Sequence, residues 1–444
     1  MQVDIMNGNN FCPGFTFVRT ANHKDRNSGT DMHSDVAMYA TSDLPENHED
    51  SDDEDPNDDD KSEREDGEPC EETQPNFLCD WFRMHILVEF KRKASYDPYR
   101  SKFSEADDAL ENPSGDSTKS RGQMLTYAGL QLAHQWRNFA FGVGIYDSWA
   151  RLYCFDSSST VVSARFNIHK QPRLLVEFFL RYAILTQAQR GFDPTATPAT
   201  KEEKTLFHSQ VQDYISRVKA EKLRMYPGIE NIAKSRVPIF KVQVNDGNEG
   251  LRWYLVRRPD SSILNFVPCG RFTRGFIAVP TSADLAAGVQ DGGNQDEGNQ
   301  DEGNQDEGNQ DEVNQDEVNQ DGVNQDGVNQ DGSRDQVGKG KLYWLKDYWR
   351  PENSESESSL YAHLKDSGVP NLPEVICGGD VYFGDDIQQT TNDSLATARW
   401  VRPVFMVRRM VHHRIVQELL IPLSCIEDEK SLLRVGRDIM ECKH

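Results

Sequence analysis

The chain has 444 residues, enough for two or three domains, and a net charge of −24. Two segments, residues 46–72 and 291–335, each carry a net charge of −14, so the rest of the chain is close to neutral. The acidity therefore belongs to solvated segments, and it gives no indication of a nucleic-acid partner.

The first residues lack a basic stretch followed by an apolar one, and no apolar run approaches about 18 residues. We therefore expect no signal peptide and no membrane partner. The eight cysteines are scattered without a C-x-x-C pair, which argues against a zinc site and is typical of reduced thiols. These features predict an intracellular protein, of the cytoplasm or the nucleus.

A first α/β unit is predicted over residues 34–195, after a partly ordered segment 1–33. Strands are expected at Ser34–Ala40 and Trp81–Lys91, with the acidic run 45–75 as a disordered insertion between them. The elements that follow are predicted as a helix over 122–136, strands over 139–146, 150–155 and 160–166, and a helix over 172–187.

Five polar residues of this unit stand in an order that could carry chemistry: Asp35, Glu89, Lys91, Gln123 and Tyr127. Glu89 and Lys91 share one face of a strand, and Gln123 and Tyr127 lie one helical turn apart. The order resembles the PD-(D/E)xK nuclease superfamily, although a serine precedes Asp35 where a proline is usual. The resemblance implies carboxylates that hold Mg²⁺ and a lysine that positions the attacking water. A solvated strand face gives the same pattern, and both interpretations stay open.

Residues 196–237 are charged and weakly patterned, and they are predicted to be a linker with a helix around Leu206–Leu223. A second unit over 238–427 opens with a hairpin of Phe240–Val244 and Leu251–Val256. Its pentapeptide repeat, residues 288–336, has almost no apolar content and is expected to be a disordered loop insertion.

Two glycines in the second unit, Gly270 and Gly275, flank Phe272 in a pattern close to the phosphate-covering loop G-x-G-x-x-G. Lys346 follows in an apolar strand, where a lysine needs a partner. The helix after it offers Glu357, with Glu355 as a rival. We predict that Lys346 and Glu357 pair as in protein kinases; the alternative is an exposed edge-strand lysine beside an acidic helix.

Together these stretches resemble the fungal-type protein kinase family. The motifs that carry the resemblance are Glu89-x-Lys91 with Gln123-x-x-x-Tyr127, Arg151–Asp156 with Phe166–His169, Gly191-Phe192-Asp193-Pro194, Gly270–Gly275 and Leu345–Arg350. The implied fold is α+β, a restriction-endonuclease-like α/β domain followed by a kinase small lobe of five antiparallel strands and one helix. The implied activity is ATP-dependent phosphoryl transfer to a protein, with Mg²⁺ as cofactor.

By the same resemblance, Lys346 holds the ATP phosphates, Glu357 orients it, and Gly270 and Gly275 frame the covering loop. The backbone from Glu418 to Leu420 meets the adenine. We assign no residues to a metal site and no residues to catalysis, because the sequence contains no Asp-Phe-Gly and no His-Arg-Asp loop.

Residues 428–444 are interpreted as the start of the helix that precedes the catalytic loop. The leading prediction is therefore a kinase-family fragment that is truncated and inactive, and that meets a protein substrate or partner. A Mg²⁺-dependent nuclease and a non-catalytic interaction module are the alternatives.

Overall fold

The computed structural model shows a mixed α+β chain with two main sheets. The described residues are 2–21, 32–44, 79–101, 110–234, 237–247, 250–257, 259, 270–282, 340–384, 387–391, 408–426 and 428–441. The insertions predicted at 45–75 and 288–336 lie outside them. Within these ranges no helix is long and apolar enough to cross a membrane.

One sheet organises the first unit, with strands in the order β1-β2-β3-β4-β5-β6 and β7 paired to β5. Its elements are α1 (Gln2–Gly8), β1 (Phe15–Arg19), β2 (Val36–Ala40), β3 (Ile86–Lys91), α2 (Gly115–His134), β4 (Phe139–Tyr146), β5 (Trp149–Asp156), β6 (Thr160–Val162), β7 (Phe166–Asn167) and α3 (Pro172–Ile184). β3 and β4 run parallel, and α2 supplies the long crossover that a parallel pair requires.

Successive side chains of β3 point to opposite faces of the sheet, and each face is covered by a helix. Leu87 points towards the side of α2 and packs in one cluster with Met124 and Leu130. Val88 points the other way and packs in a second cluster with Phe179 of α3. Successive strand side chains face opposite sides, so a nearly continuous apolar run is what a doubly covered strand needs.

Several elements of the first unit differ in extent from the prediction, and two of them have a clear local cause. Residues 81–84 form a turn and not the start of β3, because the backbone amides of Phe82 and Met84 donate to the side chain and carbonyl of Asp80, at 2.8 and 3.0 Å. Helix α2 begins earlier than predicted, at Gly115, because Ser114 caps it by accepting from the Ser117 amide at 3.2 Å.

A second, antiparallel sheet has the strand order β13-β16-β12-β11-β10-β9-β8. The elements from here to the end are β8 (Ala196–Pro198), α4 (Lys201–Ala220), α5 (Ile229–Lys234), β9 (Phe240–Asn245), β10 (Leu251–Val256), β11 (Arg274–Pro280), β12 (Tyr343–Pro351), α6 (Glu357–Asp366), β13 (Val375–Asp380), the short pair β14 (Tyr382–Phe383) and β15 (Ile387–Gln388), β16 (Met410–Glu418) and α7 (Glu429–Glu441).

The segment predicted to be a linker, 196–237, belongs to this second unit. β8 extends the sheet by pairing with β9. Helix α4 starts with a capping box between Thr200 and Glu203, and its buried side packs on the sheet. The buried members of this group, called the α4 cluster below, are Ala199, Phe207, Val211, Tyr214, Ile215, Val218, Tyr226, Ile229, Ile239, Leu255, Ile277, Val279 and Leu342. The charged residues on the exposed face of α4 made these apolar positions difficult to recognise in the sequence.

The opposite face of the second sheet meets the first unit through buried charges. Arg414 contacts Asp193 of the first unit and donates to Asp347 at 2.9 Å. Arg274 donates to Asp347 at 2.7 Å and to the carbonyls of Leu132 and Gln135, at 3.0 and 2.8 Å. The carbonyls at the C-terminal end of α2 thus receive a cation from the second sheet, which fixes the two units against each other.

Candidate functional sites

Lys346 lies on β12, a central strand between β11 and β16, and not on an edge strand. Its Nζ donates to both carboxylate oxygens of Glu357, at 2.8 and 2.6 Å. The side chains are 27% and 17% exposed, so the pair is half-buried and open to solvent on one side. Glu355, the rival partner, is exposed and lies before the helix.

The position of Glu357 follows from the local chemistry of the helix start. Ser356 caps α6 by accepting from the Ser359 amide, which makes Glu357 the first helical residue. The Glu357 amide donates to the hydroxyl of Tyr348 at 2.9 Å, and Tyr348 stands on the same face of β12 as Lys346. Burial raises the pKa of Tyr348 to about 12, so this hydroxyl stays neutral.

Of the two glycines in the predicted covering loop, Gly275 lies directly opposite Lys346 in the β11–β12 register. Gly270, by contrast, contacts the first unit. It has a left-handed backbone (φ +116°), and its amide donates to the carbonyl of Ser157 in the first unit at 2.6 Å. Residues 261–269, just before it, are outside the described part of the chain.

Phe272, at the middle glycine position of the pattern, anchors this segment to the first unit. It is buried in a small cluster with Leu132, Ala133 and Ala140. Its φ is +40°, a backbone conformation that is costly for a side chain of this size and that the surrounding contacts must hold in place.

The segment predicted to meet the adenine follows β16. Glu418 lies opposite Tyr343, about 10 Å along the strand from Lys346 at roughly 3.3 Å per residue. Its carboxylate accepts from the Glu374 amide at 3.0 Å. Leu420 is half exposed, whereas Leu419 packs against the α4 cluster.

ATP, which the family resemblance implies, fits this site at one end only. Lys346 offers its charge to a phosphate. Trp344 lies between Leu342 and Lys346 in the chain, on the same face of β12 as Lys346, and its indole lies on Gly275 of β11 so closely that a Cβ added there would overlap it. Trp344 also packs on the α4 cluster and lies 6.1 Å from the ring of Tyr226.

The structure brings together the five nuclease-like residues of the first unit. Lys91 Nζ donates to Glu89 Oε1 and to Gln123 Oε1, both at 2.7 Å. Gln123 in turn donates to the Tyr127 hydroxyl at 2.5 Å. Asp35 precedes β2, and its carboxylate accepts from the backbone amide of Phe90, next to Glu89, at 2.8 Å.

Glu89 is in an electrostatically costly position. It is 2% exposed, and its Oε2 has no hydrogen-bond partner in the described structure. Burial and then the charge of Asp35 raise the pKa of Glu89 to about 7, against the opposing effect of Lys91. Burial also raises the pKa of Tyr127. A buried acceptor that lacks a donor is suited to a cation.

A cavity of about 700 Å³ opens beside Asp35 and Lys91. Two further cations line it, Arg19 at the end of β1 and Arg92 just after β3. Both are exposed, and sequence reasoning missed them; the signal was their position next to the strands that carry Asp35 and Lys91.

Among the described residues, no group of three or more histidine, cysteine or acidic side chains is close enough to hold a metal ion. A cation between Asp35 and Glu89 would therefore take its remaining ligands from water or from oxygen atoms of a substrate, as Mg²⁺ commonly does.

Comparison with known proteins gives one match. Residues 81–225, about a third of the chain, match a family model described as fungal protein kinase. The predicted resemblance to that family is therefore confirmed over this segment. The matched residues run from β3 through α4 and end before Gly275 and Lys346. No curated protein and no solved structure matches the chain.

Proposed function

We propose, from the match of residues 81–225 to the fungal protein kinase family, that the chain combines a nuclease-like α/β domain with a kinase-type small lobe. β10, β11, β12, β13 and β16 would form the lobe, and α6 would be its one helix. Strands β8 and β9 are additions to the five-stranded sheet that the resemblance implies.

The observation that carries this proposal is the Lys346–Glu357 pair on a central strand and the helix that follows it. In a kinase this pair places the lysine against nucleotide phosphates. In this chain Lys346 would likewise bind phosphate groups. The proposed role is that of a kinase-type phosphate-binding lobe.

Inorganic tripolyphosphate with Mg²⁺ tests this role, because it offers phosphates without a base. We expect it to raise the thermal midpoint of the full chain, and Lys346→Ala to remove that rise. Lys365→Ala is the matched control, since Lys365 is an exposed lysine of α6 and should leave the rise unchanged. An equal rise in Lys346→Ala, or no rise in the wild type, would contradict the proposal.

A second candidate function, Mg²⁺-dependent cleavage of a phosphodiester, is favoured by the unpartnered Oε2 of buried Glu89 beside Asp35. Mg²⁺ bound there would polarise the phosphate and activate a water. Asp35 and Glu89 would bind the cation. Gln123 would hold the Lys91 side chain towards the cavity.

Incubation of the full chain with single-stranded DNA and Mg²⁺ tests the second candidate. Cleavage that is lost in Glu89→Ala and kept in Glu111→Gln, an exposed carboxylate paired with Arg121 in the same unit, would support it. Absence of cleavage, or cleavage that persists in Glu89→Ala, counts against it. Failure in both tests would leave the non-catalytic interaction module.

A further inference from the structure

Resting on the proposed kinase-type lobe, we infer that the α4–α5 segment, residues 201–234, together with Trp344, is an internal plug of the nucleotide site. Lys346 and Glu357 are paired, but the sheet surface beside them is covered by this segment and by Trp344. Adenine nucleotides are therefore excluded until this segment is displaced.

The first support is the placement of Trp344. Trp344 and Lys346 are two residues apart on β12, so they point to the same face of the sheet. Leu419 follows β16, so a ligand whose phosphates reach Lys346 and whose base reaches Leu419 must pass over or beside Trp344. The indole of Trp344 occupies the surface above Gly275 on the β11 side, and Leu419 is packed against the α4 cluster on the β16 side.

The second support is the set of contacts that fasten the segment to the sheet and to the chain after β16. Gln210 accepts from the Gly340 amide at 2.8 Å, just before β12. Tyr226, between α4 and α5, is buried against the sheet and faces Trp344. Arg224 donates to the carboxylate of Asp428 at 2.9 Å, beyond β16, which ties the segment to the chain that follows the adenine-binding stretch.

The contacts that hold the segment differ in strength. The Arg224–Asp428 pair is about half exposed, and exposed pairs contribute at most about 1 kcal/mol. Tyr226 and Trp344, by contrast, bury apolar surface that would return to water if the segment left. The plug is thus held mainly by the buried side chains of the α4 cluster, and trimming Trp344 removes the indole above Gly275 together with one of the contacts that hold the segment.

The test is calorimetric titration of the full chain with Mg²⁺-ATP. We expect no saturable binding by the wild type at millimolar ATP. Trp344→Ala should gain binding with an affinity about tenfold or more above the wild type, and Lys346→Ala in that background should lose it. Trp253→Ala is the control, because Trp253 is a half-buried tryptophan of β10 that packs with Lys241 outside the α4 cluster.

Two further variants keep the test decisive if Trp344→Ala does not fold. Trp344→Leu retains part of the apolar volume, and Arg224→Ala releases the Asp428 tie without touching the cluster; both should bind ATP more tightly than the wild type. Saturable ATP binding by the wild type that Lys346→Ala abolishes would overturn the plug and leave the proposed lobe standing. Folded Trp344 and Arg224 variants that all fail to bind ATP would overturn the plug as well, and the tripolyphosphate result then decides the lobe separately.

Discussion

Arg274 and Asp347 form a buried ion pair on neighbouring strands of the second sheet, and the same guanidinium donates to the carbonyls that end α2 of the first unit. Burial alone would raise the pKa of Asp347, but the charges of Arg274 and His412 hold it well below its ordinary value. The carboxylate is therefore ionised and central to the junction between the two units.

Asp347→Ala should destabilise the whole chain strongly. It leaves Arg274 and Arg414 buried without their shared carboxylate, and breaking a buried pair in this way costs about 3–5 kcal/mol. Urea unfolding measures the loss. The control is Glu352→Ala, which removes an exposed partner of Arg409 and should cost at most about 1 kcal/mol. A loss in Asp347→Ala as small as that of the control would contradict this account of the junction.

Stability should fall as the pH rises from about 5 to 8, because of Glu89. Its pKa is about 7 in the folded chain and 4.5 as an unperturbed group, so the folded state binds the proton more tightly. The resulting stabilisation is fully present below pH 4.5 and is lost as the pH rises through about 7; the shift corresponds to up to about 3 kcal/mol.

Glu89→Gln checks the pH effect in the same chain. The neutral amide should flatten the dependence of the urea midpoint between pH 5 and 8 and leave the variant more stable than the wild type at pH 8. Mg²⁺ should stabilise the wild type at pH 8 and have no effect on Glu89→Gln. An unchanged slope in the variant would show that another group is responsible.

Gly275→Ala should be destabilising because its methyl group would overlap the indole of Trp344. Forcing extra volume into a packed site typically costs about 1–3 kcal/mol. In a Trp344→Ala background the cost should largely disappear, so a double-mutant cycle of unfolding free energies reports the contact directly. Additive costs would mean that Trp344 does not lie on Gly275 in solution.

Gly191→Ala should also destabilise the chain, by a different mechanism. Gly191 has φ +95°, and a Cβ there would overlap the carbonyl oxygen of Phe139. The matched control is Gly228→Ala, at φ +72° with open space around it, which isolates the cost of the left-handed backbone. The difference in thermal midpoint between the two variants measures the overlap; equal losses would argue against it.

Much of the local structure could be predicted because short sequence patterns determine it. The alternation of β3 placed Glu89 beside Lys91, and the spacing on α2 placed Gln123 beside Tyr127. Lys346 and Glu357 could be matched because the strand and the next helix are only a few residues apart. Nothing in the sequence alone placed Asp35 against β3, since the acidic run separates them; the prediction needed the superfamily resemblance.

The covering loop and the linker show where sequence reasoning fails. Phe272 occupies the middle glycine position of the loop pattern, but its side chain is buried against residues of the first unit. Helix α4 carries charges on its exposed face, which made the segment look like a linker. Its apolar side is decided by contacts with strands much later in the chain, and such long-range pairing leaves no local signature.

Helix α2 spans about 30 Å at 1.5 Å per residue. Near its middle, Gln123 accepts a hydrogen bond from Lys91, and at its C-terminal end the carbonyls of Leu132 and Gln135 receive the guanidinium of Arg274. An expressed fragment that begins at β9 would keep the Lys346–Glu357 pair. It would expose Arg274 and Arg414, which are buried in the full chain. A cut before β9 would therefore separate the buried charges that join the two units.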